Sequence, residues 1–186
     1  MTLRFSRFLL RIFGWKVVGD LPDLPKLVVT GAPHTSNWDF PLALLAARIL
    51  RVKISWIGKA GLFRFPFGPL MRWLGGIPAQ RTGSEGLVTS MAESFAAADR
   101  LVLAIAPEGT RRPVPYWKSG FYRIAYAAGV PVVPVAIDGV SRKIRVGHAV
   151  MPTGRVSEDM DRLRAFFGGV QGIKPDGQGP VRLEEE

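Results

Sequence analysis

A chain of 186 residues is long enough for one domain with its own core, and its 25 Lys and Arg against 15 Asp and Glu give a formal net charge of +10. It has no Cys and only two His, which excludes disulfides, a thiol nucleophile and thiolate metal sites and leaves little for zinc, so no metal is expected. The charge attracts polyanions in general and does not by itself choose among nucleic acid, anionic lipid and a phosphorylated metabolite.

Mean hydropathy is +0.15, high for so basic a chain, so some apolar surface is expected to face something other than the core. The first candidate is the segment Met1 to Gly14. On a helical wheel Arg4, Arg7 and Arg11 share one face while Phe5, Phe8, Leu9, Ile12 and Phe13 cover most of the rest. Arg7 and Arg11 interrupt the apolar stretch and no small-residue cleavage site follows, so it reads as an in-plane interfacial helix rather than a signal peptide. The same pattern also fits a helix docked on its own core with a solvated Arg stripe. No run approaches the roughly 18 apolar residues of a membrane-spanning helix.

Lys26 to Thr30 reads as a buried strand, 31–38 as a loop and Asp39 to Leu50 as a helix with Pro41 in its first turn. Val52 to Ile57 is a second strand, followed by a stretch in which Phe63, Phe65, Phe67, Trp73 and Leu74 alternate with Lys59, Arg64 and Arg72, a mixture suited to a headgroup layer or to a core edge. Then come a helix over 84–98, a strand over Leu101 to Ile105, a helix over Ser119 to Ala128 and a strand over Val132 to Ile137. One or two further strands and a short helix near Glu158 to Phe167 complete the pattern, and the Gly-, Pro- and Glu-rich end from Gly168 reads as a mobile tail. The alternation predicts an α/β single domain, a mostly parallel mixed sheet flanked by helices. Its divisions are an N-terminal amphipathic helix over 1–20, the main domain over 21–167 and a flexible tail over 168–186.

The nucleophile elbow, the phosphate-binding loop and the dinucleotide fingerprint are all missing. Two polar motifs remain, each after a strand, where α/β sheets place ligands. In His34-Thr-Ser-Asn-Trp-Asp39 the His and Asp would stand about 140° apart on a continuous helix, so they meet only if the loop folds back. An Asp on the ring N–H would fix the tautomer and support the imidazolium formed when the other nitrogen takes a proton. Taken alone, the pair also fits a helix-capping Asp beside an ordinary loop His. Glu108-Gly-Thr-Arg111 places a carboxylate, a flexible turn and a fixed cation at a strand end, where Arg111 suits a phosphate and Glu108 could orient it or bind a hydroxyl. A third segment, Gly75 to Arg81, offers another Arg after a Gly-rich turn.

In this order and spacing the motifs resemble those of the glycerolipid acyltransferase family, the family of the lysophosphatidic acid acyltransferases, over roughly Leu27 to Gly139. The resemblance implies that His34 and Asp39 are the catalytic His-x4-Asp pair. It assigns acceptor or phosphate binding to Arg81 and to Glu108, Gly109, Thr110 and Arg111, and matches Val130 to Val135 to the family's fourth block. It further implies transfer of a fatty acyl group from acyl-CoA or acyl carrier protein, as co-substrate with no other cofactor, to the hydroxyl of a lysolipid acceptor such as 1-acylglycerol 3-phosphate. With the N-terminal helix it implies peripheral attachment to an anionic membrane surface at the cytoplasmic face of the cell membrane. Pro33, Pro78, Ala79, Gln80, Ala106 and Arg112 depart from the usual pattern, which leaves another lysolipid, an aminolipid or glycolipid, open as acceptor. A non-catalytic lipid-binding scaffold conflicts with intact His34, Asp39 and Glu108. Nucleic-acid binding is not expected, because the cations stand beside aromatics and Leu and no recognition motif is present.

Overall fold

The computed structural model describes residues 3–79 and 83–186. Its strands in chain order are β1 (Lys16–Val18), β2 (Lys26–Ala32), β3 (Ile54–Gly58), β4 (Gly76–Pro78), β5 (Leu101–Ile105), β6 (Val132–Asp138) and β7 (Lys143–Val146). They form one sheet in the order β1-β7-β6-β2-β5-β3-β4, antiparallel only between β6 and β7, as the α/β expectation required. The helices are α1 (Leu3–Ile12), α2 (Asp39–Ile49), α3 (Gly68–Trp73), α4 (Gly83–Ala97), α5 (Gly120–Ala128) and α6 (Val156–Phe167).

A parallel sheet needs cover on both faces, and the near-continuous apolar runs of β2 and β6 are what such cover buries. Val28, Leu103 and Ala136 pack with Phe95 of α4, Phe121 and Ile124 of α5 and Met160 and Leu163 of α6. On the other face Leu10 of α1 and Leu42 and Ala46 of α2 close over Ile137 and Ile144. Pairing of β2 with β5, Thr30 opposite Ile105, brings the loops that follow these two strands side by side. That register positions the candidate site.

Two expectations change. From Gly168 the chain was expected to be a mobile tail, yet Val170 and Leu183 are buried to 3% and 1% exposure. Gly139 N–H donates to the Gln171 carbonyl at 2.7 Å, and Trp117 N–H to the Arg182 carbonyl at 2.8 Å. A few apolar residues spaced among Gly and Pro bury well here because the chain around them is also tied to both motif loops, Lys174 N–H to Thr35 Oγ1 and Arg182 Nε to the Pro115 carbonyl. The N-terminal segment also runs on into the sheet, since Trp15 packs beside Leu10 and β1 pairs with β7. Helix α1 itself buries only Ser6 and Leu10; Phe5, Phe8, Ile12 and Phe13 are about half exposed or more.

Candidate active site

The loop between β2 and α2 folds back on itself, and Asp39 at the start of α2 is the reason. Its Oδ2 accepts from the backbone N–H groups of Thr35 and Ser36, both at 2.8 Å, and lies 3.0 Å from His34 Nδ1. The carboxylate is 2% exposed, so these bonds offset its desolvation. Asp39 therefore does not cap α2, whose N-cap residue Trp38 has no side-chain cap bond; it ties down the turn that precedes the helix. A carboxylate on Nδ1 favours the tautomer with its proton there and leaves Nε2 as the basic nitrogen.

The second motif meets the first through one long-range bond. His34 N–H donates to Glu108 Oε1 at 2.9 Å across 74 positions of sequence. Glu108 is buried, and Oε2 as well as Asp39 Oδ1 has no protein partner among the described residues. Burial pushes the Glu108 carboxyl above its usual range and the Asp39 charge adds to this, while the backbone N–H groups of His34 and Glu108 and the charge of His34 oppose it. An acid whose folded value is raised loses stabilisation as pH climbs from its ordinary value to the raised one. Glu108→Gln should remove that pH dependence, read as urea midpoints across a pH series, and still accept the His34 N–H. Glu108→Ala should cost about 1 to 3 kcal/mol at low pH by leaving that donor unpaired, and less as pH rises and wild type loses its own stabilisation.

Gly109 has φ +64, and a Cβ built there would stand 3.1 Å from Lys118 Nζ, so glycine both makes the turn and lets Lys118 lie across it. The Thr110 hydroxyl accepts from Arg112 N–H at 3.4 Å, and Arg111 is exposed in the same loop. The structure thus brings His34, Asp39 and Glu108 together, with Gly109, Thr110 and Arg111 continuing the Glu108 loop. Arg81 lies outside the described residues. Strand β4, which precedes it, pairs with β3 at the sheet edge, three strand spacings or about 14 Å from β2. Thr35 was absent from the expected site residues. Thr35 Oγ1 accepts from Lys174 N–H at 3.1 Å, and only the folded C-terminal segment reveals that role. Trp38, 64% exposed, meets Phe13, the residue after α1, with ring centroids 6.5 Å apart.

Beyond the central strand of this α/β sheet a buried carboxylate, Asp39, thus supports a partly exposed imidazole, His34, an arrangement chemically suited to general-base work. The sequence profile described as Acyltransferase matches residues 19–138, and the chain belongs to this family. It is 31% identical over 124 residues to the 1-acyl-sn-glycerol-3-phosphate acyltransferase of Escherichia coli (strain K12), covering 63% of this chain and 49% of that protein. Its identity to the protein of the same description from Haemophilus influenzae (strain ATCC 51907 / DSM 11121 / KW20 / Rd) is 26% over 147 residues, 74% of this chain and 60% of that one. The chain thus spans about half to three-fifths of the length of these relatives. The crystal structure of the 1-acyl-sn-glycerophosphate (LPA) acyltransferase PlsC from Thermotoga maritima shares the fold, with a TM-score of 0.55 and 22% identity, covering 86% of this chain and 72% of that one.

Proposed function

We propose that the chain transfers a fatty acyl group from an acyl thioester, acyl-CoA or acyl carrier protein, to the free hydroxyl of a lysophospholipid such as 1-acylglycerol 3-phosphate. The observation that carries this is the 3.0 Å contact of His34 Nδ1 with Asp39 Oδ2, which leaves Nε2 to act as base. His34 Nε2 takes the hydroxyl proton as the oxygen attacks the thioester carbonyl carbon; the tetrahedral intermediate then expels the thiolate, which recovers that proton from the imidazolium. The C–S bond breaks, the C–O ester bond forms and no acyl-enzyme is needed. Asp39 stabilises the imidazolium, and Glu108 holds the His34 backbone that aims the ring.

Both substrates are amphiphiles, and the surface suits them. Phe5, Phe8 and Ile12 of α1 are exposed with Phe13 just beyond it, Phe13 meeting Trp38 of the motif loop, and Arg4, Arg7 and Arg11 are exposed along the same helix. No described helix is long and apolar enough to cross a membrane. An in-plane α1 at the cytoplasmic face, phenylalanines among the acyl chains and arginines on anionic headgroups, would set the site against its lipid substrate.

The test is an acceptor panel offered with one acyl thioester: lysophosphatidic acid, glycerol 3-phosphate, a lyso-aminolipid and a glycolipid. Lysophosphatidic acid should be acylated fastest. Arg111→Ala should raise its apparent KM about tenfold to a hundredfold, the effect of losing one charged hydrogen-bond partner worth roughly 1.5 to 3 kcal/mol, with little change for the thioester. Preference for a phosphate-free acceptor, used normally by Arg111→Ala, would move the assignment to another lysolipid. Acylation of none would return the chain to a lipid-binding scaffold.

A further inference from the structure

The exposed apolar surface continues away from His34 to a second place where a lipid fits. Phe13, just beyond the end of α1, meets Trp38 at the start of α2, while Leu3 at the beginning of α1 lines a groove with Ala47 and Arg48 near the end of α2. The two helices therefore run antiparallel, and the α1 stripe leads from the catalytic loop to this groove. At 1.5 Å per residue the groove end of α2 lies about 13 Å from Asp39, so it is not the acceptor site. The groove encloses about 690 Å³, and α3 supplies its far wall with Trp73, which is 78% exposed.

Its lining combines apolar side chains such as Leu3, Leu44 and Trp73 with Arg48, Arg51 and Lys53, and among the described residues it includes no carboxylate. Helix C-termini favour cations, which accounts for Arg48 in the last turn of α2. Arg51, with φ 59, closes α2 as its left-handed cap, its N–H on the Arg48 carbonyl at 3.3 Å and Val52 N–H on the Ala47 carbonyl at 3.0 Å; the cap sets the conformation, which glycine would adopt with less strain, but not the choice of a cation. An arginine thus stands where the helix-end motif favours glycine, at the rim of an apolar groove that also carries Arg48 and Lys53. The chemistry that satisfies both halves is an anionic amphiphile, and the continuity with the α1 stripe makes its source the bilayer.

We propose that the groove seats one anionic phospholipid of the membrane, with its phosphate on Arg51 and Lys53 and its acyl chains passing Leu3 and Trp73 into the lipid layer. This rests on the membrane-surface reading of α1 above and adds a specific, saturable site to it. With α1 held at one end by this lipid and at the other by Phe13 against Trp38, the mouth of the catalytic loop faces the same layer.

The 186-residue chain is sedimented with vesicles of phosphatidylcholine alone and of phosphatidylcholine mixed with phosphatidylglycerol. Arg51→Gly with Lys53→Ala removes both cations, and at φ 59 the glycine relieves the backbone, so the fold is not put at risk. This variant should bind the mixed vesicles about tenfold or more weakly than wild type, and phosphatidylcholine alone unchanged. Arg123→Ala with Arg155→Ala, an equal loss of charge from α5 and the N-terminal edge of α6, should bind both as wild type does. The Trp73 indole resonance is then followed as dihexanoyl phosphatidylglycerol is added below its micelle concentration. A saturable shift in wild type that vanishes in the groove variant is expected.

Equal weakening by the two variants, or no saturable shift, overturns the lipid site while leaving α1 attachment standing. An identical titration with inorganic phosphate also overturns it, as an anion site without lipid. Wild type that stays in solution with both vesicles defeats the membrane reading, and the soluble-lipid titration alone then decides the groove.

Discussion

Replacing His34 with alanine is expected to lower the turnover of acyl transfer by about a thousandfold to ten-thousandfold, the upper part of the range for a positioned base. The imidazole is the group whose one nitrogen lies on a buried carboxylate and whose other is left to accept a proton. Glu108 does not take its place, because the carboxyl is buried and tied by Oε1 to the His34 backbone, which the substitution retains, rather than standing at the position of Nε2. Stability should fall by only about 1 kcal/mol, since Asp39 Oδ2 keeps its two backbone donors and only one hydrogen bond is lost. Initial rates from a radiolabelled acyl thioester and lysophosphatidic acid, with a urea unfolding curve on the same sample, separate the two effects. Turnover near wild type in a folded His34→Ala protein would end the general-base assignment.

The sequence made part of this site legible. Apolar runs such as Leu101 to Ile105 leave no choice but a buried strand, and strands alternating with helices place the loops after β2 and β5 at one edge of the sheet. Capping and histidine support stood as alternatives for Asp39. The structure sets capping aside, because the side chain turns back to Thr35 and Ser36 and one oxygen serves these donors and the ring together. Spacing alone hid this, since the loop reverses direction within five residues. The bond from His34 to Glu108 was hidden for another reason. It depends on the register of β2 against β5, which no local pattern encodes.

Short elements were the least legible. Strands β1 and β4 have three residues each, too few for any period to show, and β4 contains both Gly76 and Pro78, which argue against a strand in isolation. The C-terminal segment misled through composition. Gly172 is needed because a Cβ there would sit 2.5 Å from Thr35 Oγ1, and Gly179 because one would sit 2.1 Å from the Val114 carbonyl. Glycines that read as flexibility are close backbone approaches, and the strap they permit braces both motif loops.

Asp39→Asn tests whether charge or shape matters at the centre of that bracing. The amide is isosteric, and with its oxygen toward the loop it can still accept from Thr35 and Ser36 N–H, so the fold should be nearly kept. Catalysis should not be. A neutral amide does not offset the imidazolium that forms when Nε2 takes the acceptor proton; rotated so that NH2 faces the ring, it selects the tautomer with the proton on Nε2 and removes the base altogether. Both outcomes lower turnover, by about a hundredfold to ten-thousandfold, with the acceptor KM changed little because the carboxylate is buried behind the histidine. Asp39→Ala should add a structural penalty of about 1 to 3 kcal/mol for each backbone donor left unpaired in the interior. Steady-state rates beside urea midpoints for the pair of variants give the comparison. If Asp39→Asn keeps half or more of wild-type turnover, the carboxylate serves only to fold the loop, and the charge of the imidazolium must be balanced elsewhere, with the Glu108 carboxyl as the nearest alternative.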